Sequence, residues 1–295
     1  MSEPGVIDAP AEPAARGCVD LHAHTTASDG TATPEEFVAA AVAAGLSAVA
    51  VTDHDTVGSV AEVTRRAEPH GLDVVAGVEL SLHDDGGREL HVLGLHLADP
   101  ALVDRALESV RDARRSRAVQ MVAKLNELGV AVTMEAVLAE AAGGAVGRPH
   151  VARAVIKAGH ATALQQVFDR WLGAGKPAYV DKARLSVSDG VALVHRAGGV
   201  AVYAHPGAEA TRERIAPLVD AGLDGLEVRH PSHSADDIKR IRALVRTFGL
   251  VPSGGSDWHG AKGGPRLLGC MQVAAEWLDA QRERIAARVV GPAAS

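Results

Sequence analysis

Only two cysteines, Cys18 and Cys270, occur in 295 residues, too few for a disulfide framework or a thiolate metal site. Cys18 sits beside Val19 in an apolar, strand-like run, where a buried free thiol is expected. Aromatic residues make up 3% of the chain while alanine and valine dominate, so the interior should consist of small side chains packed between helices and strands. That composition favours an α/β fold. No apolar run reaches the roughly 18 to 20 residues that span a bilayer. The start, Met1-Ser2-Glu3-Pro4, lacks the basic and then apolar order of a signal peptide. The chain is expected to be cytoplasmic, with no membrane partner. Positive charge is in deficit, and a net charge of −7 argues against a general nucleic-acid coat or a stable nucleic-acid complex. No fixed-period repeat is present.

The distribution of charge says more than its total. Between Arg105 and Arg184, thirteen Lys or Arg face seven Asp or Glu, an excess of six that leaves −13 for the rest of a chain of net −7. Cations bound in an acidic body and an anionic ligand met by a basic middle would require this. Taken alone, a solvated face of an amphipathic helix is the commoner source of such an excess.

Residues 1–16 are rich in Pro, Ala and Glu without apolar periodicity and predict a flexible lead-in. Short apolar runs then recur: Cys18 to Leu21, Ala48 to Val51, Val74 to Val78, Leu90 to Leu95, Val200 to Ala204, Leu226 to Val228 and Leu250 to Gly255. Helical patterns separate them, the signature of βα units around a parallel sheet or barrel. Thr33-Pro34-Glu35-Glu36 offers an N-cap, a proline at N1 and an N3 glutamate, and Gly45 stops the helix that follows. Ser186-Val187-Ser188-Asp189 and Ser234-Ala235-Asp236-Asp237 predict two later helix starts. Between Ala101 and Gly175 the rhythm breaks into successive helical patterns. The expected organisation is a discontinuous barrel, 17–100 and 176–288, with a helical cap inserted at 101–175. The cap's first helix carries Arg111, Arg114, Arg115, Arg117 and Lys124.

Polar metal-ligand types stand where the apolar runs end. Strand residues two apart face the same way, so Asp20, His22 and His24 could project together, with Asp29 in a loop able to bend back to the same ion. The second run leads into Thr52-Asp53-His54-Asp55 and the third into Glu79. His91, inside Glu89-Leu90-His91-Val92, should be buried and need a hydrogen-bond partner or a metal. Later runs finish at His205, at Arg229 and His230, and at Asp257-Trp258-His259. This end of the strands is where α/β barrels and sheets assemble active sites. Imidazole and carboxylate without paired thiolates suit Mn, Zn or Fe. A tetrahedral zinc uses about four ligands, so the surplus predicts several ions, an arrangement that commonly activates water and clamps a phosphoryl group.

In order and at strand ends, "DLHAHTTASDG", "VTDHDT", "GVELS", "HVLGLH", "VYAHPG" and "GGSDWHG" resemble the PHP family, the polymerase and histidinol phosphatase superfamily of metal-dependent phosphoesterases. The resemblance spans Cys18 to Leu268 and implies a distorted (β/α)7 barrel with three divalent metal ions, expected to be manganese with zinc or iron as alternatives. By motif, the first metal would be held by His22, His24, Glu79 and Asp257. Glu79 would bridge to a second on His91 and His205. Asp29, His54 and His259 would hold the third. Asp29 and the inserted "AVGRPHVARAV" resemble the bacterial branch that removes the 3′-phosphate of 3′,5′-nucleoside bisphosphates, with relatives that trim RNA from a 5′-monophosphate end.

The expected partner is therefore a small phosphorylated nucleotide or a short RNA end. Arg148 could grip a second phosphate bidentately, with His150 assisting or packing beneath it; Lys182 and Arg184 are further phosphate candidates. His230 is a candidate either to protonate the leaving oxygen or to orient a ligand, and Asp20 and Asp53 are expected to orient ligands rather than bind metal. His70, His83, His160 and His195 lie away from strand ends and are expected at the surface or in packing; His96 is expected to be structural. Histidinol phosphate hydrolysis is the nearest alternative, but a basic insertion suits a more anionic substrate. Amide hydrolysis on a similar barrel would not require the arginines. A non-catalytic or polymerase-associated module would not require the full ligand set.

Overall fold

The structure, a computed structural model, describes residues 17–144, 146–181, 185–261 and 266–289. The predicted lead-in therefore lies outside the described residues, as do Lys182 and Arg184. Among the described residues there are nine strands: β1 (Cys18–Asp20), β2 (Leu46–Val51), β3 (Asp73–His83), β4 (Glu89–Leu95), β5 (Leu185–Ser186), β6 (Val200–Tyr203), β7 (Gly225–Arg229), β8 (Val251–Gly254) and β9 (Val273–Ala274). The helices are α1 (Pro34–Ala43), α2 (Val60–Ala67), α3 (Pro100–Glu127), α4 (Met134–Ala141), α5 (Arg148–Lys157), α6 (Leu164–Val167), α7 (Val187–Arg196), α8 (Arg212–Asp220), α9 (Ala235–Phe248) and α10 (Glu276–Val289). None of them is long and apolar enough to cross a membrane.

Sheet order β8-β7-β6-β4-β3-β2-β1 strings together the seven apolar runs read from the sequence. The ring closes beyond β1 and β8, where Leu21 N–H donates to Gly254 O (3.0 Å), Asp257 N–H to His22 O (2.8 Å) and His24 N–H to Trp258 O (2.8 Å). Closure brings the backbones so near that a Cβ added to Gly255 would lie 2.4 Å from His22 N. The fold is thus a nearly closed, distorted α/β barrel.

One strand departs from the parallel expectation. β4 runs antiparallel to both β3 and β6, because only the turn Asp84–Arg88 joins β3 to β4 and no crossover helix turns the chain round. Reversal places the start of β4, with His91, at the barrel end where the parallel strands finish. β3 also continues past the expected end: Glu79 lies in its middle, with Leu80 and Leu82 on the opposite face to Glu79 and Ser81. The segment Ala178-Tyr179-Val180, although it carries an aromatic and a β-branched residue, forms no strand. Its carbonyls accept instead from side chains, Arg117 Nε to Val180 O (2.7 Å) and Lys124 Nζ to Tyr179 O (3.0 Å).

Alternation along the strands sorts the apolar residues into two sets. Val19, Ala48, Ala50, Leu93, Leu95, Val200 and Val202 fill the barrel with Val273 and with Leu278 of α10. Val49, Val51, Leu80, Val92, Ala201 and Leu226 face outward under the surrounding helices. Small inward residues explain how so few aromatics suffice. Caps fall as predicted: Thr33 and Ser234 form capping boxes, Ser186 caps α7 and Gly45 adopts φ +67° beyond α1. Helices α3 to α6 pack around their own apolar cluster, including Leu125, Val137, Val151, Val155 and Leu172.

Candidate metal centre

The loops leaving β1, β2, β6, β7 and β8 converge at one end of the barrel with the starts of β4 and the middle of β3. His205 and Asp257 hold left-handed backbones (φ 34° and 49°), an uncommon conformation for non-glycine residues that concentrates at functional sites. Trp258, between Asp257 and His259, turns into the core against Phe37 (6.0 Å between centroids), which leaves its two neighbours facing the cluster.

Glu79 stands at the centre. Its Oε2 is approached by His22 Nε2, His24 Nε2 and His54 Nδ1, each at 3.2 Å. Its Oε1 meets His91 Nδ1 at 2.8 Å and His205 Nε2 at 3.1 Å. Asp257 Oδ1 lies 3.4 Å from His22 Nε2 and 3.2 Å from His24 Nε2. Asp29 reaches His259 Nε2 at 3.2 Å, His54 Nε2 at 3.9 Å and His24 Nδ1 at 4.0 Å. All nine ligand-type residues singled out in the sequence are thus brought together. Three groups have ligand atoms close enough to share an ion: His22, His24, Glu79 and Asp257; His54, Glu79 and His91; and His24, Asp29, His54 and His259. His24 and His54 each face two groups, and His205 joins the second through Glu79.

Too many groups compete here for hydrogen bonds alone to satisfy them. Both ring nitrogens of His24, His54 Nδ1 and Asp29 Oδ1 are buried without a hydrogen bond of acceptable geometry. A buried polar atom left so is costly, and a divalent cation is the partner that both imidazole and carboxylate accept. The electrostatics point the same way. Burial would raise the Glu79 pKa, but His54, His22 and His91 outweigh it and hold the carboxyl well below its ordinary value. Asp29 and Asp257 are likewise held well below theirs against burial, Asp29 chiefly by His54 and His259, Asp257 chiefly by His22 and His230. Burial works against a charge on His22 and His24, yet the surrounding carboxylates raise both, His24 to about 10. Burial dominates at His54 and lowers it to about 3. The ionised carboxylates demand positive charge, which bound metal would supply.

Beside this cluster is a pocket of about 130 Å³ lined by Asp29, His54, His91, Arg114, Arg117 and Arg148, among others. Arg148 and Arg117 both lie over the Tyr179 ring, 5.7 and 5.8 Å from its centroid. Burial first, then the neighbouring Arg148, lowers the Arg117 pKa to about 10. Arg114 is neutralised differently: it pairs with buried Asp55, through Nε at 2.7 Å and through Nη2, and donates to Ser81 Oγ at 3.1 Å.

Comparison with known proteins fits this geometry. The family model described as PHP domain matches residues 20–179. The chain is 36% identical over 259 residues to a 3′,5′-nucleoside bisphosphate phosphatase of Chromobacterium violaceum, covering 85% of this chain and 90% of that protein. The chain belongs to the PHP family. It is 33% identical to the 5′-3′ exoribonuclease Rnm of Escherichia coli, over 81% of this chain and 84% of the relative. A crystal structure of a Bifidobacterium adolescentis protein, described as a putative metal-dependent phosphoesterase, superposes with a TM-score of 0.84 at 33% identity, covering 92% of this chain and 98% of the other. The protein is a metal-dependent phosphoesterase of the PHP type.

Other predicted residues of this PHP site fall behind the ligands. Asp20 accepts from Ser256 N–H (2.9 Å) and Gly269 N–H (2.7 Å), fixing the turn before Asp257. Asp53 accepts from Thr25 N–H (2.7 Å), Thr25 Oγ1 (2.8 Å), Ser28 Oγ (2.7 Å) and Ser59 Oγ, fixing the loop before Asp29. Both orient backbone, and neither bonds a ligand ring. His150 is buried, with Nδ1 accepting from Gly147 N–H at 2.9 Å, so it packs under the Arg148 turn rather than lining the pocket. His230 Nε2 lies 3.4 Å from Asp257 Oδ2, while Ser232 N–H donates to Nδ1 (3.1 Å). His96 is bonded to Gln281 (3.0 Å) and His195 to Asp224 (2.8 Å), away from the site.

Sequence reasoning missed two participants. Glu227, fully buried on β7, accepts from His22 Nδ1 (3.0 Å) and from His205 N–H (2.6 Å). An acid between Leu226 and Val228 in a buried strand was the available signal. Arg266 pairs with Asp257 Oδ2 and donates to the Asp257 carbonyl at 3.2 Å; nothing in its local sequence marks it.

Proposed function

We propose that this PHP protein removes the 3′-phosphate from 3′,5′-nucleoside bisphosphates and, at the same site, trims short 5′-phosphorylated RNA from its 5′ end. The observation that carries this reading is the basic wall of Arg117 and Arg148 beside His54 and His91. A phosphate monoester with one charged group needs the metal ligands alone. A substrate with a second phosphate needs a second cationic surface within nucleotide reach. Histidinol phosphate, which carries an amine, would meet two guanidinium groups instead. The activities in the names of the Chromobacterium and Escherichia relatives agree with this choice.

Three cations, manganese in our reading, would be held by His22, His24, Glu79 and Asp257; by Glu79, His91 and His205; and by Asp29, His54 and His259. Bound divalent metal would supply activated water at neutral pH and charge stabilisation at the phosphoryl oxygens. The chain's own residues do the rest. Glu227 accepts the His22 Nδ1 proton and so presents Nε2 bare to its ion, as the carboxylate partners of metal-binding histidines do. Arg148 and Arg117 hold the second phosphate in register, Arg148 free to bind it in bidentate fashion. His230 accepts from Ser232 N–H at Nδ1, so its Nε2–H faces the cluster as a donor that can hydrogen-bond the leaving oxygen.

The test is to purify the protein, supply manganese or zinc and measure phosphate or nucleotide release from an adenosine 3′,5′-bisphosphate, histidinol phosphate and a 5′-phosphorylated oligoribonucleotide. The bisphosphate and the oligonucleotide should be turned over in preference to histidinol phosphate. Preference for histidinol phosphate would overturn the substrate assignment.

A further inference from the structure

Helix α5 works at two places. Its first residue, Arg148, belongs to the basic wall, whereas residues further along meet the loop that carries Asp29. Arg153 Nη2 donates to the Asp29 carbonyl at 3.1 Å. The buried His150 ring reaches the Ser28 backbone. Just before α5, Gly144 sits so tightly on the same loop that an added Cβ would lie 2.5 Å from the Thr26 carbonyl oxygen and 2.6 Å from that of Ala27. Successive residues from Thr26 to Asp29 are therefore met by the helical region, while Asp53 holds Thr25 and Ser28 from the barrel side. Between these holds the loop is a run of turns with no strand partner. Its Asp29 carboxylate must nevertheless meet His259 and His54, which the barrel fixes independently. Metal–ligand distances tolerate only about 0.2 Å of error, so the loop's position decides whether the group is complete.

We propose that the helical insertion completes the cation site of Asp29, His54 and His259, with Arg153 as its positioning residue and Gly144 as its seat. This rests on the three-cation reading above. The barrel alone would then hold the cations on Glu79, and the third would depend on how the insertion docks.

The experiment uses the full chain, wild type and the variants Arg153→Ala, Arg153→Lys, Gly144→Ala and His259→Ala, each checked for folding by circular dichroism. Each is equilibrated against a series of free manganese concentrations, and bound metal is counted by elemental analysis. His259→Ala, which removes a ligand, should lose one equivalent. Arg153→Ala and Gly144→Ala should keep the first two equivalents at wild-type concentrations but need about 10- to 100-fold more manganese for the last, the size of effect that buttressing partners have. Arg153→Lys, still able to donate to the Asp29 carbonyl, should recover most of that loss. Wild-type loading of every equivalent in Arg153→Ala overturns the proposal, as does parallel weakening of all equivalents. If His259→Ala leaves the count unchanged, the three-cation reading falls and the proposal with it.

Discussion

Replacing Glu227 by glutamine changes one buried atom type and should weaken metal binding without unfolding the protein. The carboxylate satisfies two donors at once, His22 Nδ1–H at 3.0 Å and His205 N–H at 2.6 Å, and it has no exposure through which water could substitute. A glutamine has one oxygen for two donors. If that oxygen keeps the His205 amide, the new NH2 faces His22 Nδ1, which must then accept. His22 accordingly carries its proton on Nε2, the nitrogen that faces Glu79 and Asp257, and must give it up before ligating. If the oxygen turns to His22 instead, NH2 opposes the His205 N–H and leaves a buried donor unsatisfied, at about 1–3 kcal/mol. Either arrangement costs about 1.4–2.7 kcal/mol of metal binding, a factor of roughly 10–100. Competition titration of manganese against a chelator would read it directly, with the melting temperature as the check on folding. Metal affinity within about twofold of wild type would refute the tautomer reasoning.

Arg148→Ala should raise KM for a 3′,5′-bisphosphate about 10- to 100-fold, the loss of charge-assisted bonds worth about 1.5–3 kcal/mol, with little change in kcat; an equal rise for a nucleoside monophosphate would remove the second-phosphate role. His150, buried and next to Arg153, has its pKa lowered to about 4, burial being the larger cause. Its folded pKa lies below the ordinary 6.5, so the unfolded chain binds the extra proton first, and the contribution is fully present above pH 6.5 and lost as pH falls toward 4. The gap corresponds to about 3 kcal/mol. Urea denaturation of wild type and His150→Asn across that window should show a steeper acid loss in the wild type, and parallel curves would contradict it. Gly255→Ala puts a Cβ 2.4 Å from His22 N and should lower stability by about 1–3 kcal/mol or more while also reducing metal content; an unchanged melting temperature would mean that the closure between β1 and β8 is softer than its geometry implies.

Most of the barrel was legible because its cues are local. Seven apolar runs, three helix caps and a ligand type at nearly every strand end follow from period and residue type alone. The reversed β4 was less so: direction depends on how long a connection is and what it contains, and Asp84–Arg88 reads equally as a loop before another parallel strand. Reversal also explains why His91 looked like an ordinary strand residue. In an antiparallel strand the site end is the beginning, so the rule that ligands follow the apolar run inverts.

The buried charges were hidden for a different reason. On α3, Arg114 and Arg117 occur in a run of arginines, "RDARRSR", that reads as a solvated face, yet both are buried, at 9% and 8% exposure. What draws Arg114 inward is Asp55, far away in sequence, and a desolvated guanidinium is stable only when such a partner meets it. Glu227 likewise looks like an interruption in Leu-Glu-Val until His22, 205 residues earlier, is brought to 3.0 Å. The metal ligands could be read because each sits at a recognisable position of its own strand. Their supporting partners exist only as pairs across the fold, so residue type and spacing carry no trace of them until the barrel closes. It follows that substitutions at Glu227, Asp55 or Arg153 should harm the site as specifically as loss of a ligand does, although none stands in a motif.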